Sequence, residues 1–425
     1  MRLRNRSTGL SYTGNKPSGS LRHLDDYRGI VEDEILEDIR TRAKDLSGIT
    51  LAHVNATAFG GGVAEILDNL ILLMNDVGIR TDWRVLHGTP EFFEVTKKLH
   101  NTLQGMDIPF TDQEARLYAF MSEKFSRFAD LEHDCVFIHD PQPLPLGHFV
   151  EHSAPWIWRC HIDLTHPNGG AWDLVRPYVL EYDTMVVSGE AYRRPDVNIE
   201  QKIIHPSIDP LSPKNRELSP ETIRTCLERE NIPGDKPIVA QVSRFDPWKD
   251  PEGVLEMFLK VRKEVDCRLI FCYNLASDDP EGVRIYDRML EAAKPYLEQG
   301  EVIFVRGDDP IVVNTIQRSA AVIVQKSTRE GFGLVVTEAM WKGAAVVASR
   351  VGGIPIQIED GVSGFLVEPS HIEECATKVI QLLKDKDQAR DLGTQARERV
   401  RERFLITRHM TDHLELIKSL LNNRD

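Results

Sequence analysis

Long apolar runs are missing from this 425-residue chain. A bilayer-crossing helix needs about 18 consecutive apolar residues, and no stretch approaches that length. Cysteine is scarce and scattered: Cys135, Cys160, Cys226, Cys267, Cys272 and Cys375 show no Cys-x-x-Cys pairing. That argues against a disulfide framework and for free thiols in a reducing compartment. No Cys or His cluster has zinc spacing. The only Asp-x-Asp is Asp385-Lys-Asp387, in a charged helical stretch near the end, so no metal ligands are expected. Positive charge is in the minority, with 52 Lys and Arg against 66 Asp and Glu and a net charge of −14. Such a balance argues against nucleic acid as the main partner, although local phosphate sites remain compatible with it. Solenoid-type repeats are absent.

The first twenty residues carry Arg2, Arg4, Arg6 and Lys16 with Ser and Gly, no acid and no apolar signal core. A disordered tail over residues 1–23 is expected there rather than a transit peptide. The protein is expected to be cytoplasmic, away from membranes.

What is present fits two domains of about 200 residues each. Apolar residues at helical spacing in 24–46 predict a helix, and Ile49-Thr-Leu-Ala-His-Val54 reads as a buried strand. It runs into Gly60-Gly61-Gly62, after which Val63, Ile66, Leu67, Leu70, Ile71, Met74 and Val77 form one helical stripe closed by Gly78. Further strands are expected at Asp82–Leu86, Cys135–His139, Trp156–Cys160 and Thr184–Val187. Pro206, Pro210, Pro213 and Pro220 mark residues 205–220 as a linker. A second series then places strands at Ile238–Val242, Arg268–Phe271, Val302–Val305, Ala321–Val324 and Ala345–Ala348. The tail at 388–425 reads as long, charged and helical. Alternation on both sides of a linker predicts an α/β protein with two Rossmann-like, doubly wound parallel-sheet domains facing across a cleft. The expected bounds are 24–208 and 209–403, with a helix at 404–425 returning to the first domain.

Ligands of such sheets bind beyond the carboxyl ends of the strands, and the motifs fall there. The glycine loop precedes a helix N-terminus, whose free N–H groups and dipole favour an anion. A dinucleotide fingerprint with Asp82 on a ribose is the alternative, but Glu65 stands where that pattern needs Gly or Ala. Arg244 and Lys249, in the loop after the second domain's first strand, are candidates to clamp a pyrophosphate. In Glu330-Gly-Phe-Gly-Leu-Val-Val-Thr-Glu338 two glycines open backbone amides to a ligand at a helix start. The two glutamates are eight residues apart, about two turns were the whole span helical, and a carboxylate can accept two sugar hydroxyls at once.

Arg244, Lys249 and the Glu330…Glu338 pair resemble the signature of retaining glycosyltransferases of family 4, which have the two-domain GT-B fold. Ser349-Arg-Val-Gly-Gly-Ile-Pro-Ile-Gln357 and Asp360-Gly-Val-Ser-Gly-Phe-Leu-Val367 resemble that family's closing segments. Phe59-Gly-Gly-Gly-Val-Ala-Glu65, His139-Asp-Pro-Gln-Pro143, Trp158-Arg-Cys-His-Ile-Asp163 and Ser243-Arg-Phe-Asp-Pro-Trp-Lys249 look like its trehalose-synthesising branch, which holds both nucleotide-sugar-dependent synthases and retaining phosphorylases. Gln357 departs from the Glu common in the wider family.

The resemblance implies roles. Arg244 and Lys249 would neutralise a donor diphosphate, and Glu338 would hold the ribose. Glu330 and the amides of Phe332, Gly333 and Leu334 would hold the transferred glucose and distal phosphate, with Gly61 and Gly62 bordering the phosphates. His161 would touch the donor sugar, Asp140 would stand at the acceptor, and Asp163 would assist it. The implied reaction is front-side transfer from a nucleoside diphosphate glucose (ADP- or UDP-glucose) to glucose, giving trehalose. No cofactor is required, though Mg2+ can accompany the diphosphate without protein ligands, and a homodimer is left open. The rivals are a phosphorylase using α-glucose 1-phosphate, a non-catalytic sugar-binding regulator and a GT-B epimerase. A two-carboxylate glycosidase fits less well, because the glutamates sit among phosphate-type glycines.

Overall fold

The computed structural model describes residues 22–58, 61–274 and 280–422. Residues 1–21 of the expected tail, and Phe59 and Gly60 of the glycine loop, lie outside the described residues. The chain divides into two compact units, one ending at Pro206 and resuming at Ile406, the other spanning Ser207–Leu405.

Six parallel strands form the sheet of the first unit: β1 (Thr50–Asn55), β2 (Arg80–Val85), β3 (Cys135–His139), β4 (Trp156–Arg159), β5 (Thr184–Val187) and β6 (Glu200–Ile203). Their order is β2-β1-β3-β4-β5-β6, so the chain reverses direction across the sheet between β1 and β3. β3 and β4 are buried along their whole length, as strands covered on both faces must be. The second sheet comprises β7 (Ile238–Arg244), β8 (Arg268–Asn274), β9 (Val302–Arg306), β10 (Ala320–Gln325), β11 (Ala345–Ser349) and β12 (Phe365–Val367). Its order, β12-β11-β10-β7-β8-β9, is the Rossmann order with its switch point between β7 and β10.

Each sheet packs into its own core. Leu99, Tyr118, Trp156, Trp158 and Val175 belong to the first, and Phe258, Phe271, Met289, Val324 and Val379 to the second. Residues 24–46 form a short 3-10 turn, Leu24–Tyr27, and then a helix, Asp33–Asp45, rather than one helix. Gly29, at a φ of +76°, turns the chain between them. The C-terminal stretch is likewise two helices, Lys386–Arg403 and Ile406–Asn422. The second of these packs on Asp33–Asp45 and Gly62–Asp76, and its Lys418 pairs with Asp45 at 2.6 Å.

Candidate active site

In the second unit, the loops leaving β7 and β10 flank the switch point. Lys249 stands on the first and Glu330 on the second, and Lys249 Nζ donates to Glu330 Oε2. Both side chains are largely buried. The same carboxylate oxygen takes a hydrogen bond from Ser327 Oγ at 3.2 Å, and Ser327 Oγ in turn accepts Gln325 Nε2 at 3.0 Å. Gln241, on β7, donates to the Lys249 carbonyl at 2.7 Å, while the Thr328 amide reaches the Trp248 carbonyl at 2.8 Å. A cation and an anion from loops 81 positions apart are thus fixed to each other and to the sheet. Arg244 is not drawn into this pair. Its side chain is 58% exposed, and its ion-pair partner is Asp246 at 3.7 Å.

Gly333 caps the helix Leu334–Trp341 at a φ of +83°, a conformation that disfavours any residue with a Cβ. The first amides of that helix have no intrahelical acceptor. A Cβ on Gly333 would lie 3.0 Å from Glu330 Cγ. Gly333→Ala should therefore displace Glu330 as well as strain the cap. We expect a loss of about 1–2 kcal/mol in stability and a larger proportional loss in activity, read by thermal unfolding beside kcat/KM. Gln357 is fully buried, with its amide nitrogen on the Phe332 carbonyl and its amide oxygen accepting Thr337 Oγ1 at 2.6 Å. A glutamate there could not donate to Phe332 when ionised, so the departure at 357 has a structural reason.

The Glu330–Glu338 span is not helical throughout. The helix starts at Leu334, which leaves Glu330 on the loop and Glu338 on the second turn. Glu338 is only 2% exposed; it accepts Gln317 Nε2 at 3.3 Å and lies 3.4 Å from Lys214 Nζ. Lys342 donates to Gln317 Oε1 at 2.6 Å and Asn215 Oδ1 at 2.9 Å. Its ammonium is pushed down to about 7 by burial. These neighbours orient the Gln317 amide towards Glu338, and none of them was singled out from sequence.

In the first unit the candidates gather at the carboxyl ends of β1, β3 and β4. Asp140 follows β3 at a φ of +64°. Its amide donates to the Arg159 carbonyl at 2.9 Å, and its Oδ1 accepts the His161 amide at 2.8 Å. Burial raises its carboxyl to about 6. His161 Nε2 lies 2.9 Å from His139 Nδ1, and burial holds the imidazole well below its usual range, so it is neutral. Asp163 is occupied locally, since its Oδ1 accepts both the amide (2.8 Å) and the hydroxyl of Thr165. Gly61 caps the helix Gly62–Asp76 at a φ of +80°, and a Cβ there would meet nothing within 4 Å among the described residues; a helix start of this kind favours an anion.

Among the described residues, no group of three or more His, Cys, Asp or Glu side chains is placed to hold a metal ion, and no helix is long and apolar enough to cross a membrane. Residues 53–194 match the family described as trehalose synthase, N-terminal domain, and residues 223–399 match glycosyl transferases group 1. The trehalose synthase of Thermococcus litoralis is 44% identical over 96% of this chain and 100% of its own. A trehalose phosphorylase from Grifola frondosa is 29% identical over 89% of this chain and 58% of its own. A solved α,α-trehalose-phosphate synthase (UDP-forming) from Burkholderia vietnamiensis superposes with a TM-score of 0.70 at 14% identity, covering 88% of this chain and 99% of that one. That likeness shows the GT-B fold. With matches to both domain families and an end-to-end relative at 44% identity, the chain belongs to the trehalose synthase family, glycosyltransferases of trehalose metabolism.

Proposed function

We propose that the chain transfers glucose from a nucleoside diphosphate glucose to free glucose, with retention, and releases trehalose and the nucleoside diphosphate. The observation that carries this reading is the Lys249–Glu330 pair, set at the β7/β10 switch point beside a helix that opens at Gly333. A leaving diphosphate is met by the cations Lys249 and Arg244 and by hydrogen bonds from the amides of Phe332, Gly333 and Leu334. Glu330 and His161 hold the transferred glucose. Glu338, 3.4 Å from Lys214 Nζ, takes the ribose hydroxyls, which is why a nucleotide donor is preferred to a sugar phosphate. Gly61 and Gly62 border the phosphates, and Asp140 receives the acceptor hydroxyl, with Asp163 supporting the loop behind it.

The acceptor oxygen enters on the face that the diphosphate leaves. Its bond to the anomeric carbon forms as the carbon–phosphate-oxygen bond breaks, and its proton passes to the departing phosphate oxygen. The protein's contribution is charge stabilisation and orientation rather than a covalent intermediate. No resident metal is required; a divalent ion such as Mg2+ arrives with the diphosphate. The enzyme works in the cytoplasm, a reading supported by six buried cysteines, none of which forms a disulfide among the described residues.

The test is NMR product analysis after incubating the protein and glucose with ADP-glucose, UDP-glucose, GDP-glucose or α-glucose 1-phosphate. An α,α-linked disaccharide from a nucleotide donor alone is expected. Product from the sugar phosphate alone would replace this reading with a phosphorylase, and none from any donor would remove the catalytic claim.

A further inference from the structure

Three histidines climb from the interior of the first sheet to its carboxyl edge. His53 on β1 is level with Phe137 on β3, and His139, two residues further along β3, is level with Arg159 on β4. His161 lies two residues beyond Arg159. Because side chains alternate along a strand, each step of two keeps the ring on one face while moving it outward. The rings stack at 5.2 Å between centroids for both His53–His139 and His139–His161. His53 Nδ1 lies 2.9 Å from His139 Nε2, and His139 Nδ1 lies 2.9 Å from His161 Nε2.

Burial holds all three imidazoles well below their usual pKa, so each is neutral, with one N–H and one lone pair. Two neutral rings share a hydrogen bond only when one donates, so the chain has two senses. Either all three rings carry the proton on Nδ1 and donate outward, or all carry it on Nε2 and donate inward. The inner end distinguishes them. His53 Nε2 is buried and has no hydrogen-bond partner among the described residues, its ring covered by Phe137 at 4.7 Å and His413 at 6.2 Å between centroids. The inward sense would strand an N–H there, and the outward sense strands only a lone pair; orphaned buried N–H groups are the rarer of the two. At the outer end, the half-buried His161 makes no Nδ1 hydrogen bond among the described residues.

We propose that His139 is a positioning residue that fixes His161 as its Nδ1–H tautomer and so presents a hydrogen-bond donor to the ligand. The kinetic consequence rests on the reading of His161 as a sugar contact; the tautomer does not. A second-shell hydrogen bond that sets a histidine's tautomer is a general device.

The experiment uses the full chain labelled with 15N-histidine, in which two-bond 1H–15N correlations report the protonated nitrogen of each ring, assigned through single-histidine variants. His161 is expected to carry its proton on Nδ1. In His139→Phe, which fills the space without a donor, His161 should become a mixture of tautomers, and kcat should fall about tenfold, the worth of one hydrogen bond, with KM for glucose little changed. His139→Gln, whose amide nitrogen can still donate to His161 Nε2, should restore both. His53→Phe should change neither, because His139 Nε2 then becomes the bare lone pair in place of His53 Nε2. A purely structural role would make the two phenylalanine variants behave alike. A wild-type His161 protonated on Nε2, or one whose tautomer ignores His139→Phe, would overturn the proposal. Absence of transfer from every donor would sink the proposed function separately, and the NMR result would still decide the tautomer.

Discussion

Lys249→Ala should lower kcat by about 10²–10³-fold, the usual effect of removing one group that stabilises charge on a leaving oxygen. The size follows from placement. Lys249 is largely buried, its carbonyl is held by Gln241, and its ammonium is held by Glu330, so the charge is organised before any ligand arrives. Preorganised charge needs no rearrangement during reaction, which is what separates it from a solvated surface lysine such as those that pair on exposed helices. Arg244, being 58% exposed and held among the described residues by a 3.7 Å contact to Asp246, should cost less when replaced by alanine. Stability gives a second, independent reading. Lys249→Ala removes the cation that donates to Glu330, and Glu330→Ala removes the carboxylate that accepts from Lys249. Each single variant should therefore be less stable than the double variant, while the double variant remains as inactive as the worse single one. Thermal unfolding and single-turnover kinetics on the four proteins check this. Full transfer activity in Lys249→Ala would remove the diphosphate site from this loop.

Strands were legible where a run of four or more apolar residues is buried on both faces. β3 and β5 lie where their apolar runs begin and end, at Cys135–His139 and Thr184–Val187. β6, Glu200–Ile203, was missed because it is an edge strand whose four residues are all partly or fully exposed, so no apolar run announces it. β12 is three residues long and gives no periodicity to read. Within the candidate site, paired cations in a strand-end loop marked Lys249, and a glycine-bearing strand-end loop marked Glu330 and Gly333, since backbone conformation and charge are local properties. What holds those residues was not legible. Ser327 and Gln325 are ordinary polar residues in sequence, and the link from Lys342 to Asn215 joins positions 127 apart. The spacing of Glu330 and Glu338 would amount to about two turns were the whole span helical, but a left-handed glycine at 333 begins the helix between them. One local signal was available and passed over: His53 sits inside an otherwise apolar buried strand, where an unpaired imidazole is costly and a partner is to be expected.

Asp140→Asn isolates the charge at the acceptor position, because almost everything else there survives the change. The backbone is at a φ of +64°, and asparagine tolerates that region better than any residue but glycine. The amide oxygen can still accept the His161 N–H that Asp140 Oδ1 holds at 2.8 Å. Only the negative charge is lost, and with it the charge-assisted hydrogen bond to the acceptor hydroxyl, so kcat/KM should fall about a hundredfold. The pH dependence carries the sharper test. Burial raises the Asp140 carboxyl to about 6, above its ordinary 3.8. Below about pH 6 the group is protonated and above it ionised, so transfer by the wild type should be lost as pH falls through about 6. The Asn variant should lack that limb. Stability runs the other way. A folded pKa above the unfolded one means that folding favours the protonated form, a contribution fully present below the unfolded pKa and lost as pH rises through about 6. At neutral pH the fold therefore holds an ionised Asp140 at a cost of up to about 3 kcal/mol, and Asp140→Asn should unfold at a higher temperature than wild type at pH 8. At pH 4 the two proteins should unfold at more nearly the same temperature. A charge kept at the expense of stability is expected of a group that works on the substrate. An unchanged acid limb in Asp140→Asn would assign that limb to another residue.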